Sequence, residues 1–366
     1  MTVLRTALST AKYASRRYRN WRRVRHDTKL FGVGGTLTDA ANRPYLDEIR
    51  SYWSDHFGRP VHPVWHMAFA KVTGKKDARI IPGPCWVDEI LPFLNELPLR
   101  AAYRDKNLSD VFLNYAHAPE TIIKKMHGRY YTSDNTPMSF ADAEQQLAAS
   151  QKDLIVKPSQ TDNGYGIRSL AVIGSKLFLE NCPCTLSGLE TQYGSNFIIQ
   201  EKVAQHPLIA QVHPASLNTV RMVTFRWKNN IRVLIAFARF GTQGRLTDNA
   251  GRGGLCCGID ERGRLNDSAV DITGKVYSSH PTTGYSFANR LSIPNYESVC
   301  RVALDLHRQI FHFDIVSWDF AIGVEGNPVF IEMNFKGAVY VYQFACRQPL
   351  FGDLTSDVLQ AVRDNR

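Results

Sequence analysis

Two carboxylates and an amide stand close together in the segment DIVSWDFAIGVEGNPVFIEMNF, residues 314–335. The segment reads as two strands joined by a tight turn at Glu325-Gly326. With pairing symmetric about that turn, Gly323 lies opposite Pro328, and alternation assigns every side chain to a face. One face carries Trp318, Phe320, Ile322, Val329, Ile331 and Met333, all apolar; the other carries Ser317, Asp319, Ala321, Phe330, Glu332 and Asn334. Asp319 then sits across from Glu332, with Asn334 two residues further along the same edge. Like charges about 4 Å apart repel by roughly 4 kcal/mol at the dielectric usual near protein surfaces, so such a pair requires a proton, a basic partner or a cation. Oxygen donors from two acids and an amide suit Mg²⁺, which takes few protein ligands and completes its shell with water and phosphate oxygens. An edge hairpin whose acids face solvent is the alternative.

Cations recur near strand ends elsewhere. Asp153-Leu-Ile-Val-Lys157-Pro158 reads as a short buried strand ending in a lysine, followed by the loop SQTDNGYG, Ser159 to Gly166, and a second strand, Ile167 to Ile173. A loop carrying Gly164 and Gly166 between two strands makes a flap whose backbone N–H groups can close over phosphates, with Lys157 as a point charge. The G-x-x-x-x-G-K spacing of a phosphate loop is absent, and an ordinary hairpin is the plainer reading. Further on, Ser216-Leu-Asn218-Thr219-Val-Arg221-Met-Val-Thr224-Phe225 and Ile231 to Phe240 form a hairpin around Lys228-Asn229-Asn230, with Thr219, Arg221 and Val223 on one face. Arg221 and Arg239, on strands leading into a core, need anions. They either grip a transferring phosphoryl group or substrate carboxylate, which makes them catalytic together with Lys157, or form salt bridges to Asp319 or Glu332. The glycine-rich interruption Thr247-Asp248-Asn249-Ala250-Gly251-Arg252-Gly253-Gly254 offers free backbone amides of the kind that build binding sites on rigid scaffolds. Lys336 contacts phosphate or points to water.

In combination these blocks resemble the ATP-grasp superfamily. W-D-x-A…(V/I)-F-I-E-x-N is similar to that superfamily's metal-binding acids and amide, which makes Asp319, Glu332 and Asn334 the matching metal ligands. From about Tyr103 to the C-terminus the chain is similar to the sugar-transfer-associated branch, in S-L-N-T-V-R at 216–221 above all. The resemblance implies an α+β class structure, the ATP-grasp fold, in which two α+β lobes hold ATP between them, with ATP and Mg²⁺ as cofactors. It matches Lys106, in Arg104-Asp105-Lys106, to a first phosphate-contacting lysine and Lys157 to a second, ahead of a flap containing Gly164 and Gly166. Gln200, Glu201, Lys202 and Val203 match the hinge whose backbone pairs with adenine. The chain departs from pattern at the ribose, since no acid follows Glu201 until Asp248, and His206 is left as a substitute. Asn218, Asp248, Asn249, Gly253, Gly254 and Lys336 fall to the substrate side. The implied activity is a carboxylate–amine ligase: the γ-phosphoryl group moves to a carboxylate to give an acylphosphate, and an amine displaces phosphate. The branch suggests a carbohydrate-related acid, an acidic sugar or polysaccharide precursor, joined to an amino acid or another amine. A kinase of a carbohydrate-related acceptor is a second reading of the same site. A non-catalytic adaptor binding membrane or nucleic acid is the third, and the intact acid set argues against it.

The elements that must position these groups divide the chain at residues 1–99, a mostly helical region without an assignable motif, 100–204, a lobe with flap and hinge, and 205–366, a lobe with the metal site. Pro44 to Phe57 and Cys85 to Leu97 carry apolar residues at helical spacing, Ser139-x-x-Asp142 caps a helix to Ala149, and Asn196 to Val203 is a strand. Asn266 to Ile293 is expected as a loop over the site. Asn295 to Phe311 reads as an amphipathic helix with Val299, Ala303, Leu306 and Ile310 inward. His56, His62 and His66 suggest a metal, but scattered helix-surface histidines explain them.

With 366 residues, 44% hydrophobic and 21% charged, the chain reads as globular, and its composition does not indicate disorder. No run approaches the roughly 18 apolar residues of a membrane span, and no signal-peptide core is present, so a cytoplasmic location is expected. The seven cysteines lack zinc spacing and read as reduced thiols. A net charge of +10 points to an anionic partner. Much of it lies in KYASRRYRNWRRVRHDTK, residues 12–29, where eight basic side chains and one acid interleave with Tyr13, Tyr18, Trp21 and Val24. A solvated helix capping the domain is the favoured reading of that segment; peripheral contact with an acidic partner or an anionic membrane, at its inner face, is the other, and no nucleic acid is expected.

Overall fold

Apolar spacing decides most of the elements. The computed structural model describes residues 18–161 and 164–366; Lys12, Tyr13, Arg16 and Arg17 of the basic segment, and Asp162 and Asn163 of the flap, lie outside the described residues. The chain divides into two compact units, one made of residues up to Leu94 with Thr273–Val276 and Ala338–Arg366, the other of Asn95–Ile272 with Tyr277–Gly337. This division differs from the boundaries read at 99/100 and 204/205, because the last helices join the N-terminal ones. The reason is apolar cover. Helices Arg43–Phe57 and Val64–Thr73 bury Trp53, Phe57, Trp65 and Phe69, and helices Val339–Cys346 and Thr355–Asp364 bury Tyr342, Phe344 and Leu359 in the same unit. Gln343 ties them together, its Oε1 accepting from the Ile81 backbone at 2.9 Å and its Nε2 donating to the Ile81 carbonyl at 3.2 Å. His66 belongs to this core, fully buried against the Trp53 indole; the expectation of a surface histidine fails because the apolar face of its helix carries it inward.

The second unit is built on two antiparallel sheets. The first contains β1 (Thr121–Met126), β2 (Arg129–Tyr131), β3 (Pro137–Met138), β4 (Leu154–Pro158), β5 (Arg168–Ile173), β6 (Lys176–Leu179), β7 (Cys182–Cys184) and β8 (Phe197–Glu201), in the order β3-β2-β1-β8-β4-β5-β6-β7. Helix Phe140–Ala148, with the expected Ser139–Asp142 capping box, and helix Leu186–Tyr193 bring Ala143, Leu147, Leu186 and Leu189 into a core with Leu154 and Val156. Period-two alternation along β4 therefore turns Ile155 and Lys157 to the opposite face.

The second sheet contains β9 (Thr219–Trp227), β10 (Asn230–Phe240), β11 (Leu255–Ile259), β12 (Ala269–Val270), β13 (Val276–Tyr277), β14 (Ile315–Ile322) and β15 (Pro328–Asn334), in the order β13-β12-β11-β10-β9-β14-β15. Helix Tyr296–Arg308 packs Val299, Ala303 and Leu306, with Ile310 beyond its end, against Val220, Met222, Trp318 and Phe320, as its periodicity predicts. Each such side chain removed from water is worth ~1.5–3 kcal/mol. Trp318 donates to Thr224 Oγ1 at 2.7 Å, and Thr224 in turn meets His307 Nδ1 at 2.7 Å, so the polar atoms of this core are paired.

The β14–β15 hairpin departs from the symmetric register. Gly323 and Asn327 close a three-residue loop in which Gly326 takes a positive φ of 81°, so Ile322 pairs with Pro328 and Phe320 with Phe330. A bulge between Asp319 and Phe320 restores the expected pairing of Asp319 with Glu332 and of Ser317 with Asn334. The loop type accounts for the slip, because a turn ending in a left-handed glycine uses one residue fewer than the four-residue connection expected. In consequence Phe330 joins the core and Ile331 turns to the side of the carboxylates, reversing the faces read for both.

Candidate nucleotide site

Within the second unit a cavity of about 270 Å³ is lined by side chains from both sheets. Its lining mixes apolar side chains, Pro119, Ile155, Val203, Leu217, Leu246 and Ile331, with charged ones, Lys106, Lys157, Lys202, Arg239, Asp248, Asp319 and Glu332. Of the apolar residues, Ile155 was legible as the alternate neighbour of Lys157, whereas Ile331 depends on the bulge.

Asp319 is the most constrained carboxylate. Arg221, its neighbour across the β9–β14 pairing, donates Nε to Oδ1 and Nη2 to Oδ2, both at 2.6 Å, and Arg239 donates Nη1 to Oδ2 at 2.8 Å. Burial by itself pushes the Asp319 pKa up, but the two guanidinium groups outweigh it and hold the carboxyl below its ordinary range. Arg239 also meets Asp248 at 3.1 Å, and Asp248 accepts from the Thr219 backbone at 2.9 Å and from the Thr219 hydroxyl. Burial raises the Asp248 carboxyl above its usual value, against the pull of Arg239 and Thr219. The salt bridge weighed for the arginines is thus the geometry observed for both of them.

Glu332 is more open, its side chain 24% exposed, with Lys106 Nζ at 3.7 Å. Lys106 donates to the Thr161 carbonyl at 2.8 Å, tying it to the flap. Lys157 is buried, and desolvation first, then the nearby Lys106 charge, lowers its pKa to about 7 against a counteracting pull from Glu332. Asn334 donates Nδ2 to Asp319 Oδ2 at 3.2 Å and to Glu332 Oε1 at 3.3 Å. The amide NH₂ thus stands where the facing carboxylates call for positive charge; by residue type two carboxylates and an amide oxygen suit Mg²⁺, for which Asn334 would turn its Oδ1 inward. Among the described residues no group of three or more His, Cys, Asp or Glu could hold a metal, so an ion at this pair must take its remaining oxygens from elsewhere.

The other sequence-assigned residues are placed unequally. Gly164, Lys202, Val203, Asp248 and Asn249 line the cavity. Gly164 has a φ of +63°, and a Cβ there would come within 3.1 Å of Thr247, so the flap approaches this loop closely. Gly166 lies off the cavity against Pro158. Gln200 donates to Thr121 Oγ1, and Glu201 pairs with Lys152 at 2.7 Å, both away from the cavity lining. His206 accepts from Leu208 N at 3.2 Å as the cap of a short helix. Asn218 is buried, its Nδ2 donating to Gln205, Ile209 and His213 and its Oδ1 accepting from Ser216. It staples its own loop and lies off the lining. Gly253 and Gly254 also lie off it, and a Cβ on Gly254 would meet the Asp248 carbonyl at 2.4 Å, so that glycine allows the loop to close. Lys336 is exposed. The segment 266–293, expected over the site, contributes no lining residue; it holds β12 and is bonded back to β11 and its flanking turn.

Residues 104–358 match the family model described as sugar-transfer associated ATP-grasp. Among solved structures the chain is similar to the ATP-grasp ligase PsnB complexed with minimal precursor (13% identity over 74% of this chain and 63% of that one, TM-score 0.41). It is also similar to the VanG D-Ala:D-Ser ligase from Enterococcus faecalis (13%, 72% and 61%, TM-score 0.41) and to the D-alanine–D-alanine ligase from Bacillus anthracis (14%, 72% and 69%, TM-score 0.38). The chain spans less than two thirds of the length of the first two. No curated protein matches it. The family match covers more than half of the 366 residues and begins within a residue of the resemblance seen in the sequence, so the chain belongs to the sugar-transfer associated ATP-grasp family and has its α+β fold, for which ATP and Mg²⁺ are the usual cofactors.

Proposed function

We propose that the chain is an ATP- and Mg²⁺-dependent ligase that activates a carboxylate by phosphoryl transfer and joins it to an amine. The observation that carries this reading is one cavity lined by Lys106, Lys157, Asp319 and Glu332 together with apolar side chains, in which Lys106 lies 3.7 Å from Glu332 and both charges act on Lys157. Lys157, about half protonated near pH 7 in the absence of an anion, becomes fully protonated when phosphate oxygens approach. Lys106 and Lys157 then neutralise the polyphosphate, and the backbone at Val203 with Ile155 and Ile331 holds the base. Glu332 and Asp319, with Asn334, would hold Mg²⁺, which would supply positive charge against the phosphate oxygens. On the acceptor side Arg239 and Asn249 hold the carboxylate, with Asp248 keeping the Arg239 guanidinium in place. Its oxygen forms a bond to the γ-phosphorus as the bond to the ADP oxygen breaks; the amine nitrogen then bonds to the acyl carbon, phosphate leaves, and the amine proton passes to solvent. A carbohydrate-related acid, with an amino acid or other amine, is the substrate class we infer.

Calorimetric titration of ATP with and without Mg²⁺ tests the site without knowledge of the acceptor. Binding is expected to depend on Mg²⁺ and to weaken at least tenfold in Glu332→Gln, as loss of a charge-assisted contact implies; metal-independent binding of equal strength in both proteins would remove the assignment. With the site established, acid and amine pairs are screened for ADP release. Free phosphate with an amide supports the ligase; a stable phosphorylated acceptor would make the protein a kinase instead.

A further inference from the structure

The helix over residues 18–31 carries a surface that the nucleotide chemistry leaves unused. Its inner side is occupied. Asp27 and Phe31 are buried; Asp27 accepts from Trp65 Nε1 at 3.1 Å and lies 2.9 Å from His26 Nδ1. Phe31 packs edge-on against Tyr340 and Phe344, with ring centroids 5.4 and 5.6 Å away, and its carbonyl accepts from Lys71 Nζ at 2.7 Å.

The outer side is of a different kind. Tyr18 and Trp21 are 59% and 56% exposed and stack on each other at 6.1 Å. The Arg22 guanidinium lies 5.9 Å from the Tyr18 ring centre, and that of Arg25 lies 5.5 Å from Trp21. Arg19, Arg23 and Lys29 are exposed beside them, while the one acid of the helix, Asp27, is turned inward. Positions 18, 21, 22, 25 and 29 follow the three-to-four spacing of a single helical stripe. A solvated helix of a globular protein turns its large aromatics toward the core; this one holds two of them outward, between cations and with no acid in the stripe.

We propose that this face docks on an anionic lipid membrane surface. Tyr and Trp suit the headgroup level, where the ring enters the acyl boundary and the polar tip stays wet, and arginine stems lie along apolar surface while their heads reach the phosphates. Several cations on one side supply the attraction to a negatively charged leaflet. The two rings stack on each other rather than standing apart to receive bases between them, which favours lipid over nucleic acid. The charge pattern was visible in the sequence; that the aromatics share the outer face with the arginines was not.

The test is co-sedimentation of the full chain with vesicles of phosphatidylcholine alone and of phosphatidylcholine mixed with phosphatidylglycerol, at low and at physiological salt. Binding is expected only to the anionic vesicles, weakened by salt, with a blue shift in tryptophan emission that Trp21→Phe removes. Arg22→Ala with Arg25→Ala should weaken binding roughly thirtyfold. All these side chains are exposed, so an unchanged thermal melt verifies that each variant is folded. No binding to anionic vesicles, equal binding to both vesicle types, or binding that survives Trp21→Ser, Arg22→Ala and Arg25→Ala together would overturn the proposal. Tighter binding to duplex DNA than to anionic vesicles at matched salt would reassign the face to nucleic acid.

Discussion

The two charged corners of the cavity solve opposite problems. Around Asp319, two arginines, Asp248 and Asn334 are already joined, with bonds of 2.6 to 3.2 Å. Around Lys157 and Lys106 the balance is reversed: two amines share one partly exposed carboxylate, Glu332, at a distance from Lys106 of 3.7 Å. The first corner is satisfied without a ligand and holds the sheet together; the second is short of negative charge and gains most from a bound anion. Asp319 and Arg239 would thus meet any ligand from within bonds already made, whereas Lys157 and Lys106 would meet it with charge to spare.

Breaking the satisfied corner should cost the fold most. Asp319→Asn keeps the shape but leaves Arg221 without its bidentate partner and Arg239 with Asp248 alone, and removing one member of a buried ion network costs about 3–5 kcal/mol. Chemical denaturation without nucleotide measures it, and an unchanged midpoint would refute the division of labour. Lys157→Ala should do the reverse. It removes a buried amine that is costly to charge, so the unliganded protein loses no stability, while ATP affinity falls by roughly ten- to a hundredfold, the worth of a charge-assisted hydrogen bond. Loss of stability without loss of affinity would show that both corners are structural.

The smallest effect sharpens the contrast through pH. Because the folded Lys157 pKa, about 7, lies below its ordinary 10.5, the unfolded chain binds more protons between those values, and the unliganded protein gains stability as pH rises through that window. ATP binding returns the proton. Above pH 7 its enthalpy should vary with the ionisation heat of the buffer, with uptake of up to one proton, and affinity should fall by at most about tenfold per pH unit. Lys157→Arg, which stays charged, should abolish both. Proton release on binding would contradict the assignment.

Much of the nucleotide half was readable as text. Alternation within β4 and β14 assigns Lys157 and Asp319 to one face of each strand, because a period of two leaves no freedom once the apolar residues have chosen the core. The capping box at Ser139 and the helix that buries Val299, Ala303 and Leu306 are local in the same sense. What depended on more distant partners was not readable. The bulge that moves Ile331 into the cavity follows from a loop one residue shorter than expected, and the glycine pattern alone admits both lengths. Gly254, in a glycine-rich loop, and Asn218, before β9, were both assigned to the substrate side, yet one permits the chain to close on the Asp248 carbonyl and the other is spent on the backbone of Ile209 and His213.

By itself, then, the sequence determined which side chains are charged, which strands and helices carry them, and on which face, since those depend on periodicities of two and 3.6 residues. Only the tertiary structure decided which charges neutralise one another. Arg221 and Arg239 are anionic-ligand candidates in isolation; 98 and 80 residues along the chain they find Asp319, and pairing at that separation is set by the order of strands in the sheet, which no local spacing encodes. The same holds for the last two helices, which cover the N-terminal ones because unlike a strand's register, an apolar face specifies that it be covered but not by what.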